Sequence, residues 1–193
     1  MTKNRLETIT DGVLAIVITI IVLELHVPET AGIAGLRESL PLIVAYAFTF
    51  LHIGIYWNNH HHLIHSVNRI DGLVLWANLV LLFWLSLFPF VIRWVDQAGL
   101  TTMPVAAFGT VLWLASISYF FLVKALVRAN GPDSPVARAV GRDRKGLVST
   151  LTYTVAIPLA FVNPFLAVVL YAVVALMWLI PDRRLVPAKD ASG

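Results

Sequence analysis

The chain contains no cysteine, which excludes disulfides, thiolate metal centres and cysteine nucleophiles together. Charge is scarce as well. Asp, Glu, Lys and Arg make up 13% of the 193 residues, against 59% hydrophobic. With a mean hydropathy of +0.81, that balance is too apolar for a soluble domain and marks an integral membrane protein. Acidic residues are missing from the interior of every apolar run after the first, and there is no T-V-G-Y-G carbonyl filter or Gly-rich re-entrant loop. No nucleophile–base pair or metal–water constellation lies inside a run, so the pattern does not point to an enzyme. The net charge of +3 and pI near 9.4 would suit a nucleic-acid partner. In so apolar a chain, however, Lys and Arg placement reads as topology.

What the sequence does have is long apolar segments. A span needs about 20 apolar residues to cross a hydrocarbon core of about 30 Å. Six segments are read as spans, at about 6–26, 40–63, 71–94, 103–127, 147–162 and 164–180. The expected fold is therefore an all-α integral membrane protein with six transmembrane helices per subunit, a single domain over 1–193, and no re-entrant filter loop. Ser39-Leu40-Pro41 is a cap-and-proline start for the second span. Pro89 should kink the third span in its last turns. N-G-P-D-S-P marks a polar linker at 128–146, and Asn163-Pro164 a tight hairpin between the last two spans. The first run does not read as a secretory signal, because Glu24 interrupts its end and no small-residue cleavage pattern follows.

Lysines and arginines divide unevenly between the two sides. Twelve lie on one side: Lys3, Arg5, Arg69, Lys124, Arg128, Arg138, Arg142, Arg144, Lys145, Arg183, Arg184 and Lys189; only Arg37 and Arg93 lie on the other. The positive-inside rule then places both termini in the cytoplasm.

The first span stands apart, with Arg5, Glu7 and Asp11 at one end and Glu24 at the other. Charges at the ends of a span are costly and mark partners or pathways. On a helical wheel with Ile16 at zero, Gly12, Thr19, Ile20, Leu23 and Val27 fall within about 60° of it, while Asp11 lies about 140° away. On periodicity alone the stripe fits contact with lipid or neighbouring helices, because every span is apolar all round. A pathway through this protein would nevertheless have to be lined largely by apolar side chains. Bulky Ile and Leu can close such a throat by expelling water.

The second span ends in His52-Ile-Gly-Ile-Tyr-Trp57-Asn-Asn-His60-His61-His62-Leu-Ile-His65. His61 and His65 have metal-ligand spacing, but with no Cys and no carboxylate in that span they read as a hydrogen-bonding cluster, and no metal is expected. His60 or His61 sits at the level of Arg5 and Asp11 and is available as a partner for them. Asn78 of the third span can join through its amide.

Arg5-Leu-Glu-Thr-Ile9-Thr10-Asp11-Gly resembles the R-x-x-x-F-S-D signature of the endosomal/lysosomal potassium channel family (transmembrane protein 175), in its bacterial branch. The likeness extends to Trp57-x-x-His60-His61 and to a third span carrying Asp71, Asn78 and a late Pro89. The resemblance implies a homotetrameric, potassium-preferring cation channel of the bacterial plasma membrane, with no cofactor besides the permeant ion and no nucleic-acid partner. It also implies a pore lined by the first helix and constricted at Ile16, Ile20 and Leu23, with a pore-facing hydroxyl at Thr19. It further implies a structural network of Arg5, Thr10, Asp11, Trp57, His60 or His61, and Asn78. Ile9 stands where the family has Phe and loses an aromatic contact; Thr10 replaces Ser and keeps the hydroxyl. The alternative is a proton- or metal-coupled transporter using the cluster from His60 to His65, for which inverted repeats and broken midplane helices would be expected.

Overall fold

The computed structural model describes residues 2–141 and 143–179. Arg142, Arg183, Arg184 and Lys189, all counted in the charge asymmetry, lie outside the described residues, as does the expected end of the last span at 180. Among the described residues, eight helices follow in order: α1 (Lys3–Leu23), α2 (Ile33–His65), α3 (Gly72–Leu85), α4 (Phe88–Ala98), α5 (Thr102–Asn130), α6 (Pro135–Val140), α7 (Arg144–Leu159) and α8 (Pro164–Leu179). Among the described residues, four units are long and apolar enough to cross a membrane: α1, α2, α3 with α4, and α5. Helix α7 and the described part of α8, at 16 residues each, reach about 24 Å at 1.5 Å per residue.

Local chemistry sets most boundaries. Asp71 caps α3 by accepting from the Val74 amide at 2.9 Å, and Asp143 caps α7 by accepting from Gly146 at 2.8 Å. Asn163, in the expected hairpin, accepts from the amides of Phe165 and Leu166 and so starts α8. Two boundaries differ from the sequence reading. Helix α2 begins at Ile33, behind Gly32 with φ 82°, so Pro41 lies inside it rather than at its start. The third span is broken rather than kinked. Helix α3 stops at Leu85, Ser86 and Leu87 bond back to Leu82 and Trp84, and Pro89 occupies the first turn of α4. Proline has no N–H to donate and its ring crowds the carbonyl four residues back. The first turn of a new helix is where that defect is tolerated.

Helix α5 is the most enclosed of the four long units and α1 and α2 the least. The core forms where α5 meets α3, α4, α7 and α8, around Leu81, Leu85, Phe88, Leu112, Leu122 and Tyr171. At Gly109 the α5 backbone comes so close to α8 that an added Cβ would run into the Tyr171 hydroxyl. That hydroxyl donates to the Val105 carbonyl at 3.3 Å. Trp76 of α3 projects outward with 71% of its surface exposed.

Polar contacts show which ends share a level. Lys3 Nζ donates to the His65 carbonyl, the Asn68 and Arg69 amides donate to Asn130, and Lys145 Nζ donates to the Met177 carbonyl. The start of α1, the α2–α3 turn, the end of α5, the start of α7 and the end of α8 therefore lie at one end of the bundle. Glu24, Arg93 and Asp96 lie at the other.

Candidate functional site

Helix α1 carries two faces with opposite fates. Leu6, Thr10, Leu14, Val17 and Ile21, spaced by three and four, are all buried, and α1 packs through them on α2, α3 and α4. Ile16, Ile20 and Leu23 are 60%, 40% and 80% exposed, with Gly12 and Thr19 exposed beside them. At 100° per residue the centres of the two sets are about 140° apart. Four residues expected on one stripe thus share a surface turned away from the rest of the chain. The Thr19 hydroxyl donates to the Ile16 carbonyl at 2.8 Å, which commits its proton and leaves oxygen lone pairs on that surface.

The polar residues separate into two linked sets. The first is a buried chain. Thr10 Oγ1 donates to the Leu6 carbonyl at 2.9 Å, Asn78 Nδ2 donates to Thr10 Oγ1 at 3.0 Å, and His60 Nε2 lies 2.9 Å from Asn78 Oδ1. Thr10, His60 and Asn78 expose no more than 3% of their surface. The bonding fixes the proton positions. Because the threonine proton goes to Leu6, its oxygen must accept from the Asn78 amide N–H, so the Asn78 carbonyl faces His60 and Nε2 carries the hydrogen. Every donor points from α2 through α3 to α1.

The second set is a seam between α1 and α2, which run antiparallel. Trp57 Nε1 donates to Asp11 Oδ1 at 2.9 Å. Glu7 Oε1 lies 3.8 Å from His61 Nδ1 and 3.5 Å from His65 Nδ1, and Lys3 reaches the His65 carbonyl at 3.1 Å. Positions 3, 7 and 11 therefore face 65, 61 and 57, and each step is about one helical turn. The His61 ring stacks on Trp57 with centroids 5.8 Å apart. Adjacent residues on a helix point about 100° apart, so His60 faces α3 while His61 faces α1, and both take part. Arg5 is exposed and makes no hydrogen bond or ion pair with these residues among the described ones. Ile9, where the family motif has Phe, is 40% exposed.

The sequence alone assigns no partner to Glu7, Glu24 or His26. Glu7 meets His61 and His65 across the seam. Glu24 meets Arg93 at 3.5 Å, and His26 meets Asp96 at 3.5 Å, so one ion pair and one histidine–carboxylate contact tie the end of α1 and the turn after it to α4 at the far end. The signal for Glu7 was the four-residue spacing of Lys3, Glu7 and Asp11 against that of Trp57, His61 and His65. It becomes readable only once the antiparallel register is known.

Comparison with known proteins fits these helices. The family model for the endosomal/lysosomal potassium channel TMEM175 matches residues 5–89, the part that carries the seam, the buried chain and the α3–α4 break. A potassium channel of Chryseobacterium sp. (strain P1-3) is 46% identical over 185 residues, 96% of each chain. A potassium channel of Streptomyces collinus is 31% identical over 204 residues, 99% of this chain and 98% of that one. Among solved structures, a lysosomal potassium-selective channel TMEM175 homolog from Chamaesiphon minutus superposes with a TM-score of 0.76 at 26% identity, covering 92% of this chain and 96% of that one. By its near-full-length likeness to these relatives, and by the residues that the family model spans, the chain belongs to the TMEM175 potassium channel family.

Proposed function

We propose that this chain is one subunit of a homotetrameric, potassium-permeable cation channel whose pore is walled by four copies of α1. The observation that carries the reading is the division of α1 into a buried face and an outward stripe of Ile16, Thr19, Ile20 and Leu23. In a single copy such a stripe encloses nothing; four copies around an axis make a throat. Its narrowest levels would be apolar and would block ions by dewetting, with the Thr19 oxygens offering one ring of weak ligands. The relatives named as potassium channels support the choice of ion. Thr10, Asp11, Trp57, His60, His61 and Asn78 then hold α1 against α2 and α3 rather than touching the ion, and Arg5 stands at the exposed start of α1 beside them. Within this reading α7 and α8 complete six spans, both termini are cytoplasmic, the membrane is the bacterial plasma membrane, and no cofactor is needed.

The test is a reconstituted flux assay alongside the subunit count in detergent or membrane. Wild type should give currents that reverse at the potassium equilibrium potential, and Ile16→Asn or Leu23→Asn should raise flux or erode selectivity by wetting the throat. Unchanged currents in both variants would remove the stripe from the pore. A reversal potential that follows pH or metal gradients would favour coupled transport through the histidine cluster instead.

A further inference from the structure

We propose that Glu7, His61 and His65 form a binding site for a borderline transition-metal dication of the zinc class, shared between α1 and α2. The Glu7 carboxylate and the two imidazoles each offer one ligand atom, and all three atoms lie within 4.8 Å of one another. One carboxylate oxygen faces Nδ1 of both rings, at 3.5 and 3.8 Å. Four-coordinate zinc, with metal–nitrogen bonds of about 2.0–2.1 Å, sets its ligand atoms about 3.3 Å apart. Binding would draw the three ligand atoms inward from their present spread.

The donor set selects the class of ion. Two imidazoles and one carboxylate are the ligands of many zinc sites that keep a fourth position for water, whereas magnesium and calcium favour all-oxygen shells. His61 and His65 are one turn apart on α2, with ring centroids 4.2 Å from each other, and stacking on Trp57 restrains the His61 ring. The side chains are 21%, 42% and 57% exposed for Glu7, His61 and His65, so an ion can reach them from water. Lys3, bonded to the His65 carbonyl, is the nearby charge that opposes a dication. The sequence reading weighed the histidine pair without a carboxylate; the fold supplies one from the neighbouring helix. A bound ion would fasten the start of α1 to the end of α2 beside the Asp11–Trp57 bond.

Metal binding at these three residues is independent of conduction and is measured without it. Purified full-length protein, with any affinity tag removed, is titrated with cobalt(II) as a spectroscopic probe, and stoichiometry is measured by calorimetry with zinc. The expected result is a visible absorption band of tetrahedral type, one ion per chain, displaced by zinc. The band should be lost in Glu7→Gln and in His65→Gln, the most exposed ligand, and kept in His62→Gln. Absence of the band in wild type would overturn the site. So would its persistence in His65→Gln, or its equal loss in His62→Gln, with every variant checked for the wild-type elution profile.

Discussion

The chain of bonds from His60 through Asn78 to Thr10 makes a quantitative prediction. Asn78→Ala removes two hydrogen bonds of 2.9 and 3.0 Å and leaves the His60 N–H unpaired where only 3% of the residue is exposed. Each bond is worth about 1 kcal/mol net and an unpaired buried donor costs about 1–3 kcal/mol. Polar contacts between membrane helices average nearer 0.6 kcal/mol. The expected loss is therefore about 2–4 kcal/mol. Thr10→Val keeps the shape and removes the acceptor for Asn78, for an expected loss of about 1–2 kcal/mol. If the Thr10–Asn78 bond carries energy, the double variant must lose less than the sum of the singles, by about 1 kcal/mol. Equilibrium unfolding in mixed micelles, read by tryptophan fluorescence, measures all four corners of the cycle. Additivity within about 0.3 kcal/mol would refute the argument, because the two side chains would then be neighbours without being coupled.

Asp11→Asn retains an acceptor for the Trp57 indole but loses charge assistance. It should lower the yield of assembled protein while leaving selectivity alone; a stable assembly with altered ion preference would place Asp11 in the pathway. Glu24→Gln breaks an ion pair whose arginine side chain is 57% exposed, so melting should shift by less than about 1 kcal/mol and the shift should shrink at high salt. Gly109→Ala should cost about 1–3 kcal/mol, because Tyr171 is fully buried and cannot swing aside. A neutral result in thermal unfolding would mean that α5 and α8 can separate cheaply.

Much of this arrangement was legible before any coordinates. The wheel on α1 isolated Ile16, Thr19, Ile20 and Leu23 because spacing alone assigns residues to faces. It could not say which face is covered, since lipid-facing and pore-facing side chains have the same composition. The buried Thr10 shows the converse: only packing reveals that its hydroxyl meets Asn78, 68 positions away. His60 and His61 stayed unresolved because choosing between them needs the rotation of α2 about its own axis, and α2 has no strong polar face to fix it. The α3–α4 break fell three residues before Pro89 because a proline's steric effect is felt upstream, at the carbonyl it displaces. The early start of α2 was hidden by Pro41, which marks helix starts more often than helix interiors.

Unequal helix lengths have a consequence for the surrounding lipid. Helix α2 has 33 residues and extends about 50 Å, well past a hydrocarbon core of about 30 Å, whereas α7, with 16 residues, falls about 6 Å short of that core. In the six-span arrangement proposed above, the acyl chains beside α7 must compress to meet it, at fractions of a kcal/mol per Å of mismatch. The same protein should therefore sit more comfortably among short-chain lipids than long-chain ones, and acyl length becomes a variable to control when its activity is measured.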